Sequence, residues 1–170
     1  GLGASFLQLT LFTNTNTATL TALKFSLTHP GVTAVKLYRE AANAGWSLND
    51  DSLVGTAVTS FTADRLGTFL GLNETLTTAA KTYYLVVSLS ATATPGQTVA
   101  ITLLNNTYLT VLSPDSLNSF SVGSSPVTIT DVPDIGTVTS YDNAPTHLGQ
   151  GSGAAFLHLT LSTTDSVTLN

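Results

Sequence analysis

The residues able to do chemistry are few, and most of them fall in one loop. Glu40, Asp50 and Asp51, with the amides of Asn43 and Asn49, lie in REAANAGWSLNDDS, residues 39–52. Carboxylates and amides gathered this closely suit calcium, a hard cation that takes roughly six to eight oxygen ligands. The regular D-x-D-x-D-G spacing is absent, so the expected reading is a solvated acidic turn. Calcium at Glu40, Asp50 and Asp51 is the alternative, and no other cofactor is expected. Trp46 sits in the same loop with Tyr38 nearby. An exposed tryptophan and tyrosine can stack on a sugar ring, which makes a carbohydrate-binding module the second function class. The plainer reading has Trp46 plugging one end of a folded core.

Nucleophilic catalysis needs a nucleophile, a base and an orienting group within hydrogen-bond reach. The three histidines do not supply that. His29 precedes a Pro-Gly turn, His147 lies in a Pro/Gly/Ser-rich stretch, and His158 falls on the polar alternation of a strand. Asp50 and Asp51 are adjacent and would point to opposite faces of a strand. No enzymatic activity is expected. Asn73 and Asn105 each open an Asn-x-Thr sequon and are candidate glycan sites if the chain is exported. Lys24 and Lys36 fall on outward alternations, which argues against buried isopeptide bonds.

The elements that must position these residues are strands. The single helical candidate, residues 39–45, is too short to stand alone. Leu23, Phe25 and Leu27 alternate with polar residues before His29-Pro30-Gly31 breaks the run. Val35 and Leu37 alternate again, and residues 53–58 and 68–72 read as short strands. Residues 83–89, YYLVVSL, form the most apolar strand and are expected to lie centrally. Val99, Ile101 and Leu103 make a further inward row, and residues 109–112 and 127–130 complete the set. Roughly nine short strands with frequent turn signals predict a β-sandwich with Greek-key connections.

One strand occurs twice. Residues 3–13, GASFLQLTLFT, return as residues 153–163, GAAFLHLTLST, with eight of eleven positions identical at an offset of 150. Leu7, Leu9 and Leu11 share one alternation in the first copy, as do Leu157, Leu159 and Leu161 in the second. Phe6 and Phe156 are equivalent. Residues 16–20 resemble residues 165–169 as well. A fixed period of this kind marks a tandem array. Either both copies open equivalent domains, or one copy can take the other's place in a neighbouring subunit.

The expected organisation is a sandwich over residues 1–131, a linker over 132–152 that contains a fresh strand at 137–141, and the repeated strand in 153–170. Charged residues make up 9% of the chain, against about 25% in average soluble proteins. Threonine and serine supply the polar surface. The net charge is −5 and the five basic residues are scattered, which disfavours nucleic acid as a partner. Without cysteine there is no disulfide or thiolate metal site. No apolar run approaches the roughly 18 residues that a membrane-spanning helix needs. The chain opens on Gly1 and lacks a signal-peptide pattern, which we read as a mature or excised piece.

Residues 35–57, VKLYREAANAGWSLNDDSLVGTA, and residues 69–103, FLGLNETLTTAAKTYYLVVSLSATATPGQTVAITL, resemble Ig-like sandwich repeats of large exported bacterial and archaeal surface proteins. Residues 138–160 resemble the interdomain opening of such repeats. The resemblance implies an Ig-like fold, an extracellular or cell-surface setting, and a filamentous, surface-layer or adhesive role in arrays. It also implies an acidic loop after "LY" of the kind that binds calcium, from which the present loop departs. The expected function is therefore a structural subunit joined to its neighbours by β-strand addition. An adhesive or carbohydrate-binding module is the alternative.

Overall fold

The computed structural model describes residues 4–41, 44–130, 136–142, 147, 150 and 157–163. The chain forms two compact units, Gly1–Thr130 and Asp131–Asn170. In chain order the strands of the first unit are β1 (Ala4–Leu11), β2 (Ala18–Leu27), β3 (Val32–Arg39), β4 (Ser52–Val58), β5 (Leu66–Phe69) and β6 (Glu74–Leu76). They continue with β7 (Lys81–Leu89), β8 (Thr98–Val99), β9 (Ile101–Leu103), β10 (Leu109–Val111), β11 (Val122–Gly123) and β12 (Val127–Thr128). The second unit holds β13 (Gly136–Asp142) and β14 (Leu157–Thr163).

The first unit is an all-β sandwich. One sheet has the order β1-β7-β3-β4, entirely antiparallel. The other runs β10-β2-β9-β11, and β5 and β6 also pair with β2. Period-two alternation explains the core. Val35 and Leu37 of β3, Leu85 and Val87 of β7, and Leu7 and Leu9 of β1 meet Leu20, Leu23 and Phe25 of β2 and Ile101 and Leu103 of β9. The apolar run of β7 is central, as its composition predicts: Tyr83 through Val87 are all buried, with β1 on one side and β3 on the other.

The expected strand at residues 68–72 is displaced to Leu66–Phe69. Gly67 pairs with Phe25 of β2, and Gly71 turns the chain at φ +65° toward β6. None of the described residues in 39–45 is helical, and β3 ends at Arg39. The row Val99, Ile101, Leu103 is buried but split at Ala100, whose N–H goes to the Thr28 hydroxyl and whose carbonyl takes the Thr28 N–H. β4 carries a bulge between its pairings with Val35 and Leu37; there Gly55 adopts φ +68°, a conformation open to glycine at little cost.

In the second unit β13 and β14 form an antiparallel pair, from Gly136 opposite Thr163 to Asp142 opposite Leu157. The fresh strand expected at residues 137–141 is thus β13, and its partner is the repeated strand.

Candidate functional site: the β1 edge and its groove

The repeated strand occupies a margin of the sandwich. β1 pairs with β7 in the register Leu7–Leu85, Gln8–Tyr84, Leu9–Tyr83, Thr10–Thr82 and Leu11–Lys81. Leu7 and Leu9 are each 6% exposed and belong to the core, while Phe6 and Leu11 pack against it half-buried. A bulge lies between Ser5 and Leu7. Gln8 and Thr10 face solvent. Among the described residues, β1 has no strand on its other side within its sheet. Such an edge leaves backbone N–H and C=O groups ready for another chain.

Beside that edge lies a cavity of about 760 Å³. Consecutive residues of both alternations, Gln8 through Leu11, line it, so the backbone edge of β1 forms one wall. Leu76, Leu109 and Val111 supply apolar floor from the opposite sheet. The irregular segment 114–120 closes the far side, with Leu117 and Phe120 half-buried against the core. Phe12, just past β1, is 64% exposed and also lines the groove. The sequence pattern places the leucine row but contains no sign of this groove, which arises where two sheet margins and a loop meet.

Of the predicted assembly-strand residues, Leu157, Leu159 and Leu161 lie in β14, in register with Asp142, Ser140 and Val138. Phe156 lies outside the described residues. The equivalent residues Phe6, Leu7, Leu9 and Leu11 lie in or against the core of the first unit.

In the acidic loop two carboxylates accept backbone N–H groups. Asp51 is buried; its Oδ2 accepts the Ser47 N–H at 2.8 Å and its Oδ1 accepts the Ala41 N–H at 3.2 Å. Glu40 Oε1 accepts the Gly45 N–H at 2.7 Å and the Tyr84 hydroxyl at 2.9 Å. These bonds favour the charged form, and they hold the Glu40 carboxyl below its ordinary range, the Gly45 N–H having the largest effect. Burial, then the Glu40 carboxylate, pushes the Tyr84 hydroxyl up. The two carboxylates thus clamp loop backbone. Asn43 lies outside the described residues. Among the described residues no group of three or more His, Asp or Glu side chains is arranged to hold a metal.

Trp46 does not plug an end of the main core. It packs over the outer face of the β1-β7-β3-β4 sheet, with ring centroids 4.7 Å from Tyr38 and 6.0 Å from Tyr84, in a separate cluster completed by Val86. The sequon residues Asn73 and Asn105 are exposed. Asn105 Oδ1 accepts both the N–H and the hydroxyl of Thr107, capping a single 3₁₀ turn, Asn106–Tyr108. His29 is buried: the Gly31 N–H donates to Nδ1 at 2.9 Å, which leaves Nε2–H to donate to Gln97 Oε1 at 3.0 Å. It serves as a turn brace.

No helix among the described residues is long and apolar enough to cross a membrane. Searches of protein-family models, curated proteins and solved structures find no match to this chain.

Proposed function

We propose that the chain is a non-enzymatic structural subunit of an extracellular filament or cell-surface assembly, and that copies join by β-strand addition with β14 as the incoming strand. The observation that carries this reading is the open margin at β1: an edge strand with a groove of about 760 Å³ beside it, whose own sequence is repeated in β14. An incoming strand at such a margin satisfies N–H and C=O groups while its alternate side chains are buried against the sandwich. Burying a leucine contributes roughly 1.5–3 kcal/mol, so a row of three outweighs part of the cost of ordering a strand. The resemblance to Ig-like repeats of exported surface proteins supports the same setting, as does the threonine-rich, charge-poor and cysteine-free composition.

Register decides the test, because a slip of one residue would turn the leucine row outward. Leu159→Asp should abolish assembly by burying a charge without a partner. His158→Asp, on the other alternation, should assemble like the parent. Sedimentation velocity and electron microscopy compare the two. Assembly of Leu159→Asp at the parent's level would remove β14 from the joint.

A further inference from the structure

We infer that β1 is a placeholder: it occupies, within its own sandwich, the seat on β7 that β14 of a second copy takes during assembly. This rests on the strand-addition reading above and adds to it the landing strand, the register and the strand that leaves.

β1 and β14 share eight of eleven positions yet hold different partners. β1 lies on β7, and β14 lies on β13. The residues set opposite the leucine row differ accordingly. β7 places Leu85 and Tyr83, both fully buried, opposite Leu7 and Leu9. β13 places Asp142, Ser140 and Val138 opposite Leu157, Leu159 and Leu161. The first set belongs to a central strand, whereas a strand carrying Asp and Ser there suits a sheet margin. On this inference the repeated strand is set between the two, with β7 along one edge and β13 along the other. Among the described residues neither copy is bordered in this way: β1 has no strand on its outer side within its sheet, and β14 pairs only with β13.

Exchange completes the arrangement. Carrying the β1 register across the 150-residue offset sets Leu157 opposite Leu85, His158 opposite Tyr84, Leu159 opposite Tyr83 and Thr160 opposite Thr82. β13 then arrives with β14 as the new outer strand, giving the order β13-β14-β7-β3-β4 and placing β13 over the groove that β1 leaves open. Exchange loses one β1–β7 ladder and gains one β14–β7 ladder of nearly the same sequence. The gain is the covered groove. Swapping identical elements between protomers is a low-cost route to assembly.

The chain has no cysteine, so a disulfide can be placed without competing thiols. Thr10→Cys with Thr82→Cys pairs residues in register on the face away from the leucine row. When oxidised, this bond locks β1 onto β7. The locked protein should remain monomeric in sedimentation velocity and assemble like the parent once reduced, with at least a tenfold difference in assembled mass. Equal assembly of the locked and reduced forms would overturn the placeholder and leave strand addition at another edge standing. The second measurement mixes Thr82→Cys protein with Thr160→Cys protein and oxidises the assembled material. A cross-link joining one of each is expected, and assembled material without it overturns the proposed register. A parent chain that stays monomeric under all assembly conditions overturns both this inference and the proposed function.

Discussion

Arg39 on β3 and Glu74 on β6 tie the two sheets of the sandwich together: Arg39 Nη1 donates to Glu74 Oε2 at 2.8 Å and to Oε1 at 3.1 Å. The Tyr83 hydroxyl, on β7, donates to the same Oε2 at 3.0 Å. Tyr83 is fully buried, so its hydroxyl has to find its acceptor inside the protein. Glu74 is mostly buried and Arg39 is about two-fifths exposed, so the tyrosine bond is the costlier one to lose.

Glu74→Ala should therefore destabilise the fold by about 2 kcal/mol, the cost of stranding a buried hydroxyl. Arg39→Met should cost less than about 1 kcal/mol, because the guanidinium is partly solvated in both states. Urea unfolding of the two variants and the double variant separates the terms. A larger loss from Arg39→Met than from Glu74→Ala would show that the ion pair dominates.

The same tyrosine should set an alkaline limit. Burial first, then the Glu74 carboxylate, raises the Tyr83 hydroxyl well above its ordinary value of 10.0. The folded-state value is the higher one, so this stabilisation is complete below about pH 10 and is lost as pH rises from there toward the folded value. Tyr84 is raised as well and acts in the same direction. Thermal melts from pH 8 to pH 11.5 should fall above about pH 10. Tyr83→Phe should be less stable at pH 8 but lose less on going to pH 11.5. A parallel decline in parent and variant would assign the alkaline limit elsewhere.

The loop after β3 should hold without calcium. Asp51 already accepts the N–H groups of Ala41 and Ser47, and Glu40 accepts the Gly45 N–H and the Tyr84 hydroxyl. Melts in calcium and in chelator are expected to coincide within about 2 °C, which corresponds to no more than about 1 kcal/mol for a domain of this size. Asp51→Ala should loosen the loop and shift Trp46 emission to the red whether calcium is present or absent, since Trp46 is held over Tyr38 and Tyr84 by that loop. The lowered Glu40 value gives the acid counterpart: its contribution is present above pH 4.5 and is lost as pH falls through the folded value. A calcium-dependent rise of ten degrees would restore a metal site at Glu40, Asp50 and Asp51.

The legibility of the chain follows the range of the forces involved. Alternation is local, so the leucine rows of β1 and β2 and the central place of β7 could be read directly, and so could the repeat. Pairing depends on distant residues, and those were harder. β6 is three residues long and carries no pattern of its own; it exists because β2 offers it Ala18 to Leu20. The contacts of Glu40 and Asp51 depend on backbone N–H groups that the loop conformation brings to them, which composition alone does not reveal. The groove beside β1 depends on segment 114–120, whose irregular path no periodicity announces.

Gly67 offers the sharpest test of the core. It sits opposite Phe25 across the β2–β5 ladder, and the Phe25 ring occupies the space that a side chain on Gly67 would need. A Cβ at that position would collide with the ring, with Cζ closest. Phe25 cannot simply swing away, because it is fully buried and packs against Phe69 at 5.4 Å and Phe61 at 6.3 Å between ring centroids. Gly67→Ala should therefore cost about 1–3 kcal/mol, as overpacking does, even though alanine is the better residue in a strand on entropy alone. Phe25→Leu should also destabilise, by leaving a cavity. The double variant decides the cause. If the ring is the obstacle, Gly67→Ala should cost little in the Phe25→Leu background, and the two losses should fall short of adding by 1 kcal/mol or more. Full additivity in urea unfolding would mean that Gly67 is required by its backbone rather than by its neighbour.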